Sequence, residues 1–220
     1  MIYNERRLAL FDWSGTLSDD RMPVYNANMK ILAEHEIPAI SFSEFLSLQS
    51  SNPVEFCRHY GIVIDSKEAM QRFERYFTEV AALVAPHAYE GAVDVLKKAK
   101  SLGAIIGIVS SHPAEKIDHE ARHYGLRNFI DFIEGGSVNK TVTLQVACSK
   151  QDARPSQTIY IGDMTSDIGH ARAAGVRPVA VCHGYHSREM LEKELASCFI
   201  FDDLIALNDG TMEKMLRNRR

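Results

Sequence analysis

Leu8-Ala9-Leu10-Phe11-Asp12-Trp13-Ser14-Gly15-Thr16-Leu17 is the stretch by which the rest of the chain can be ordered. Four apolar residues in a row are too few for a buried helix, and a Gly-Thr turn bounds them. They read as a strand covered on both faces in the middle of a parallel sheet. Asp12 then falls at the strand's carboxyl end. In open α/β sheets ligands collect at that edge, and a carboxylate there without an adjacent Lys or Arg invites a metal or a nucleophilic role. The plainer alternative is an Asp opening a turn, with Gly15 supplying a positive φ.

Beyond Leu17 the apolar-run character stops, and residues 21–84 read as helical with short breaks. Pro23 starts a helix carrying Asn28, Ile31 and Leu32, which ends near His35. Ser41 and Ser43 are candidate caps for a short segment with Phe45, Leu46 and Leu48, and Asn52-Pro53 opens another over 54–60, closed by Gly61. Ser66 precedes a longer helix in which Met70, Phe73, Tyr76, Phe77, Val80, Leu83 and Val84 recur at threes and fours. Helices without a strand predict a small α-helical domain over 19–85. It reads as an insert, because the Asp12 strand needs sheet partners that only appear later.

Those partners follow Pro86. An amphipathic helix over 89–102 leads to Ala104-Ile105-Ile106-Gly107-Ile108-Val109, a second buried strand ending in Ser110-Ser111-His112-Pro113. The alternation continues with a helix over 114–124, a weaker strand over 129–133 and a helix over 141–149. Then come strand 158–161, helix 165–174 and strand 179–181, with Phe199-Ile200-Phe201 as an edge strand and a last short helix over 202–207. Such alternation predicts βαβ crossovers, hence an α/β fold: a Rossmann-like, doubly wound parallel sheet built from 1–18 and 86–220. Three strand ends then meet at one edge, bringing Asp12 and Ser14, Ser110, and Gly162-Asp163. Asp167 follows four residues after Asp163. Carboxylates crowded together repel unless a hard cation sits among them, and Mg²⁺ with carboxylates and a substrate phosphate is the simplest solution.

Composition narrows the partners. A net charge of −4 on 220 residues offers no basic field for nucleic acid, and the cluster Lys214, Arg217, Arg219 and Arg220 reads as a solvated end. Cys57, Cys148, Cys182 and Cys198 are widely spaced and form no CxxC, which suits free thiols in a reducing cytoplasm. No apolar stretch is long enough to cross a bilayer, so no membrane partner is expected.

Taken together and in this order, the motifs resemble the haloacid dehalogenase superfamily, in its phosphoglycolate-phosphatase-like and phosphonatase-like branch with a helical cap. Asp12-Trp13-Ser14-Gly15-Thr16-Leu17 matches the first motif, Ser110 the second, Lys140 the third, and Gly162-Asp163-Met164-Thr165-Ser166-Asp167 the fourth. The resemblance implies a hydrolase of a small phosphorylated metabolite with Asp12 as nucleophile. It implies Ser110, Ser111, Thr16 and Lys140 as phosphate contacts, with Lys150 a rival for the lysine. The implied cofactor is Mg²⁺, held by Asp12, the Ser14 carbonyl, Asp163 and Asp167. The insert becomes the cap, whose Tyr25, Asn28, Met29, Phe45, Gln49 and His59 do not identify a substrate; the chain is expected as a monomer or homodimer.

The departure from the family pattern is Ser14, where such phosphatases usually carry a second Asp that protonates the leaving oxygen. A hydroxyl does not titrate near neutrality, and general acid-base catalysis is worth about 10² to 10⁴ in rate. The residue predicts an undemanding leaving group, a replacement donor such as His112, or a slow enzyme. Two other readings share the motif. A phosphonatase-like reaction would need a cap lysine, Lys30 or Lys67, for a Schiff base, and a phospho-ligand-binding protein would keep the pocket without turnover. His119-Glu120-Ala121-Arg122-His123 also fits the zinc motif HExxH, though no third ligand accompanies it.

Overall fold

The structure, a computed structural model, describes residues 6–48, 52–193, 198–208 and 211–216. Gln49, and Arg217, Arg219 and Arg220 of the basic cluster, lie outside the described residues. The chain divides into two compact units, residues 1–18 with 88–220, and residues 19–87. It passes between them through two-residue strands, β2 (Ser18–Asp19) and β3 (His87–Ala88), which pair with each other. β1 (Arg7–Phe11) precedes the first crossing.

Four helices make up the inserted unit: α1 (Arg21–Glu34), α2 (Phe42–Ser47), α3 (Pro53–His59) and α4 (Ser66–Ala81). α1 packs against α4 and α3, burying Ile31, Leu32, Phe56, Phe73, Phe77 and Val80. Each short helix starts at a capping side chain, because the first amides of a helix have no partner within it. Ser41 accepts from the Glu44 amide (3.1 Å) and Asn52 from that of Val54 (2.8 Å). At α4 the cap is Asp65, one residue before the expected Ser66, accepting from the Lys67 and Glu68 amides (both 2.9 Å).

The larger unit continues with α5 (Ala92–Ser101), β4 (Ala104–Val109), α6 (Ala114–His123), β5 (Phe132–Glu134), α7 (Lys140–Lys150) and β6 (Thr158–Gly162). It closes with α8 (Thr165–Ala173), β7 (Arg177–Val181), α9 (Arg188–Lys193), β8 (Phe199–Phe201), α10 (Leu204–Asn208) and α11 (Thr211–Leu216). Its six strands run in the order β5-β4-β1-β6-β7-β8, with every pair parallel. Because successive strand side chains point to opposite faces, Ala9 and Phe11 enter one core cluster with Val95, Leu96 and Ile117. Leu8 and Leu10 enter another with Leu144, Ala147 and Ala171. All four are closed to water. Burying a Leu or Phe side chain contributes about 1.5–3 kcal/mol, so β1 is fixed from both sides.

From β1 the chain winds out through β4 to β5, then returns to lay β6 on the other side of β1. Asp12, Ser110 and Asp163 therefore follow three adjacent strands, at the point where the winding reverses and where such sheets bind ligands. Some expectations shift. The helix expected from residue 89 starts at Ala92, after Gly91 takes a left-handed turn (φ 81°). The weak third strand is Phe132–Glu134, its first expected residue, Phe129, instead ending a 3₁₀ turn at Arg127–Phe129. The short helices α9 and α11 had no periodicity to announce them. No helix among the described residues is long and apolar enough to cross a membrane.

Candidate active site

Asp12 continues the β1 ladder by one residue, its amide donating to the Ile161 carbonyl (2.8 Å). The chain then turns back on itself. The Trp13 carbonyl accepts from the amides of Thr16, Leu17 and Ser18, and Gly15 takes φ 74°. A Cβ at Gly15 would collide with the Asp163 carboxylate and the Tyr185 ring, so both the angle and the space require glycine. The Trp13 amide donates to Asp12 Oδ1 (2.8 Å), which fixes the carboxylate's rotation.

Lys140, the first residue of α7, reaches this carboxylate. Its Nζ lies 2.8 Å from Asp12 Oδ2 and 2.7 Å from Asp167 Oδ1. Asp163 accepts from the Thr16 hydroxyl (2.9 Å) and the Tyr185 amide (2.8 Å), and Asp167 from the Met164 amide (3.1 Å). Asp12, Asp163 and Asp167 are all buried, with ligand oxygens within 4.8 Å of one another.

Burial dominates the electrostatics. It raises the Asp12 carboxyl to about 6, against the pull of Lys140 and with the added repulsion of Asp167. Burial also lifts Asp163 well above the carboxylate range, reinforced by Asp167 and Asp12. For Lys140 burial opposes the charge, but Asp12 and Asp167 outweigh it and hold the ammonium with a pKa well above its ordinary value. One ammonium reaches two of the three carboxyl groups, which leaves the cluster short of positive charge. An all-oxygen, anionic donor set of this kind fits a hard divalent cation such as Mg²⁺.

The remaining predicted residues fall in different places. Ser110 is buried at the end of β4, its Oγ accepting from the His112 amide (3.4 Å). Thr16, expected to touch phosphate, is fully buried and donates its hydroxyl hydrogen to Asp163. Ser111 is exposed and stands apart from the carboxylates' contacts. Ser14 is half-buried and bridges to Ser18. Lys150 is exposed and pairs with Glu134 (2.8 Å), so Lys140 is the lysine at Asp12. His112 is held neutral, since burial and then the charges of Lys116 and Lys140 lower it to about 3. It carries no imidazolium proton near neutrality to give a leaving group. The HExxH stretch is no metal site: His119 and His123 are exposed, and Glu120 accepts a hydrogen bond from the Trp13 indole (2.6 Å). Among the described residues Asp12, Asp163 and Asp167 alone form a cluster of metal-ligating side chains.

Three further residues take up their roles only in the fold. The Tyr160 hydroxyl, buried in β6, lies 3.0 Å from the Val109 carbonyl and 3.4 Å from Asp167 Oδ1. Tyr185 serves Asp163 through its amide, which no side-chain pattern reveals. His183 meets the Thr16 carbonyl (3.1 Å) and stacks on Tyr89.

A parallel α/β sheet with a buried carboxylate-lysine cluster at its winding reversal defines a Rossmann-like hydrolase core. Residues 9–181 match the haloacid dehalogenase-like hydrolase family, and the chain belongs to it. It is 25% identical over 192 residues to a phosphoglycolate phosphatase of Synechococcus elongatus, covering 86% of this chain and 88% of the relative. It is 28% identical to an N-acetylmuramic acid 6-phosphate phosphatase of Pseudomonas aeruginosa, covering 81% and 83%. In fold it is similar to a crystal structure described as a predicted phosphatase from Clostridium acetobutylicum, with TM-score 0.79, 20% identity and coverage of 96% and 100%. A haloacid dehalogenase-like hydrolase from Streptococcus pneumoniae superposes with TM-score 0.74 at 21% identity, covering 92% and 97%.

Proposed function

We propose that the chain is a Mg²⁺-dependent phosphatase of a small phosphorylated metabolite, similar to phosphoglycolate phosphatases, acting through an aspartyl phosphate on Asp12. The observation that carries this reading is the Asp12 carboxylate itself, fixed at the strand end by the Trp13 amide and Lys140 and grouped with Asp163 and Asp167.

Mg²⁺ held by Asp12, Asp163, Asp167 and the Ser14 carbonyl would neutralise phosphoryl oxygens that otherwise repel the nucleophile. Lys140 supplies a second positive charge beside Asp12, and Ser110 a hydroxyl hydrogen bond to a phosphoryl oxygen. With its carboxyl near 6, Asp12 is ionised at neutral pH and can attack phosphorus. One Asp12 oxygen bonds to phosphorus as the ester oxygen departs with the bonding pair. Water then attacks the same phosphorus, giving up a proton to solvent as the departed oxyanion takes one from it; the Asp12–phosphorus bond breaks, inorganic phosphate leaves, and the carboxylate returns. Asp167 acts as a holder of Lys140, and Thr16 as a holder of Asp163.

Ser14 leaves the departing oxygen without a titrating donor, and neutral His112 does not replace it. Aryl phosphates, whose oxide leaves unprotonated, are therefore the favoured probe. The unit of residues 19–87 acts as a cap that selects the substrate, which makes phosphoglycolate and N-acetylmuramic acid 6-phosphate the first metabolites to try. Lys30 and Lys67 are exposed, and Lys30 pairs with Glu79 (2.9 Å). Neither is desolvated as a Schiff-base amine must be, so the phosphonatase reading finds no support. The described cysteines are all free thiols, which supports a cytoplasmic setting.

Phosphate release from an aryl phosphate with Mg²⁺ tests the proposal. Asp12→Asn should lower kcat by about 10³-fold or more, because it removes the proposed nucleophile. Silence of the wild type on aryl and metabolite panels would favour a phospho-ligand-binding protein.

A further inference from the structure

The loop after the nucleophile is gripped from one side by α6, and the grip comes from the stretch that resembles a zinc motif. Trp13 is fully closed to water, and a buried indole N–H needs an acceptor. It finds Glu120 Oε2 at 2.6 Å, a charge-assisted bond. The Trp13 ring stacks on Tyr124, with centroids 5.9 Å apart and planes 6° from parallel. The Tyr124 hydroxyl lies 3.1 Å from Ser18 Oγ. Glu120 and Tyr124 are four residues apart, so both project from one side of the helix end. α6 thus holds the loop at its first residue through Trp13 and at its last through Ser18.

What this grip serves is visible in the backbone. The same Trp13 whose indole is tied to Glu120 donates its amide to Asp12 Oδ1, and its carbonyl collects the three amides that close the loop. A rotation of the Trp13 peptide would therefore turn the Asp12 carboxylate and loosen the loop together. We propose that Glu120, assisted by Tyr124, is a positioning residue that anchors the Trp13 indole so that the Trp13 amide keeps Asp12 oriented for attack. The inference rests on Asp12 being the nucleophile, as proposed above. Misplacing a reacting group by about 1 Å can cost about 10²-fold in rate, so a partial loss of orientation should appear in kcat before KM.

Trp13 is the only tryptophan in the chain, so its emission reports on this contact directly. Glu120→Leu removes the acceptor and Glu120→Gln keeps one. Hydrolysis of an aryl phosphate with Mg²⁺ should show kcat lower by about 10-fold in Glu120→Leu, KM within about twofold, and most of the loss recovered in Glu120→Gln. Trp13 emission should shift in Glu120→Leu and stay near wild type in Glu120→Gln. Trp13→Phe, which keeps a ring but loses the indole N–H, should reproduce the kcat loss, and adding Glu120→Leu to it should cost nothing more. This second route also decides the matter where Glu120→Leu fails to fold. Wild-type kcat in Glu120→Leu or in Trp13→Phe overturns the inference, as does a fall in Glu120→Gln equal to that in Glu120→Leu or a loss confined to KM. A wild-type chain that hydrolyses no phosphate ester overturns the function reading, and this one with it.

Discussion

At the carboxyl edge of the sheet Asp12 and Asp167 share the Lys140 ammonium with Asp163 beside them, all three carboxyl groups buried, whereas on the helical unit Glu34 meets two guanidinium groups in the open. Glu34 accepts from Arg72 (3.2 Å), Arg75 (2.8 Å) and the Tyr76 hydroxyl, and Arg72 also pairs with Glu68 (2.5 Å). That network holds α1 to α4 and is balanced, two acids against two bases. The edge cluster is unbalanced, and burial prevents water from making up the difference. Such an imbalance costs stability in the metal-free chain and is what the proposed cation site requires.

The sharpest difference should appear on removing a cation. Lys140→Met leaves Asp12 and Asp167 without their shared partner, and breaking a buried pair costs about 3–5 kcal/mol. Urea unfolding of metal-free protein at neutral pH should show a loss of that order, and phosphate release should fall to background. A variant as stable as wild type would mean that water reaches the cluster.

Adding an acid to the edge tests the other direction. Ser14→Asp supplies the missing proton donor, so turnover of an alkyl phosphate should rise about 10²-fold, and that of an aryl phosphate less. The gain should come with a lower Tm in the absence of Mg²⁺, because another carboxylate joins a cluster already short of positive charge. If both substrates gain equally, Ser14 limits something other than leaving-group protonation.

How much of this was legible in the sequence follows from the range of the interactions. The apolar runs at β1, β4 and β6 identify themselves, since a strand buried on both faces has no polar residue to blur it. Asp12, Ser110 and Asp163 could be placed because they follow those runs directly. Sequence position favours Lys140 over Lys150 only because Lys150 falls at a helix end, where a solvated lysine is usual, and the fold shows that one points to Asp12 and the other to Glu134. Thr16, Tyr160 and the Tyr185 amide serve the cluster through contacts that no local pattern encodes. Glu120 looked like part of a metal motif because spacing alone does not say which neighbour claims a side chain.

Metal and protons should compete at the edge. Asp12 is raised in the folded chain, from its ordinary 3.8 to about 6. The cost of its charge is absent below the lower value and fully present above the higher, so this group lowers metal-free stability as pH rises through that window. Saturating Mg²⁺ should therefore raise Tm more at about pH 8, above the Asp12 value, than at about pH 5, below it. Equal shifts at both pH values would show that the ion binds elsewhere.

The helical network should answer acid with the opposite sign and a smaller amplitude. Hydrogen bonding from Tyr76, together with the charges of Arg72 and Arg75, holds the Glu34 carboxyl below its ordinary 4.5 against the opposing effect of burial. Its contribution is present above that value and fades as pH falls through the lower, folded one. Glu34→Gln should lower Tm slightly at neutral pH, by less as salt is raised, and leave kcat unchanged, because exposed pairs are screened. A loss that ignores salt would mean that Glu34 acts through packing with Tyr76. A change in kcat would mean that the α1–α4 seam feeds the chemistry after all, and the contrast between a cluster kept for its ligand and one kept for its fold would fail.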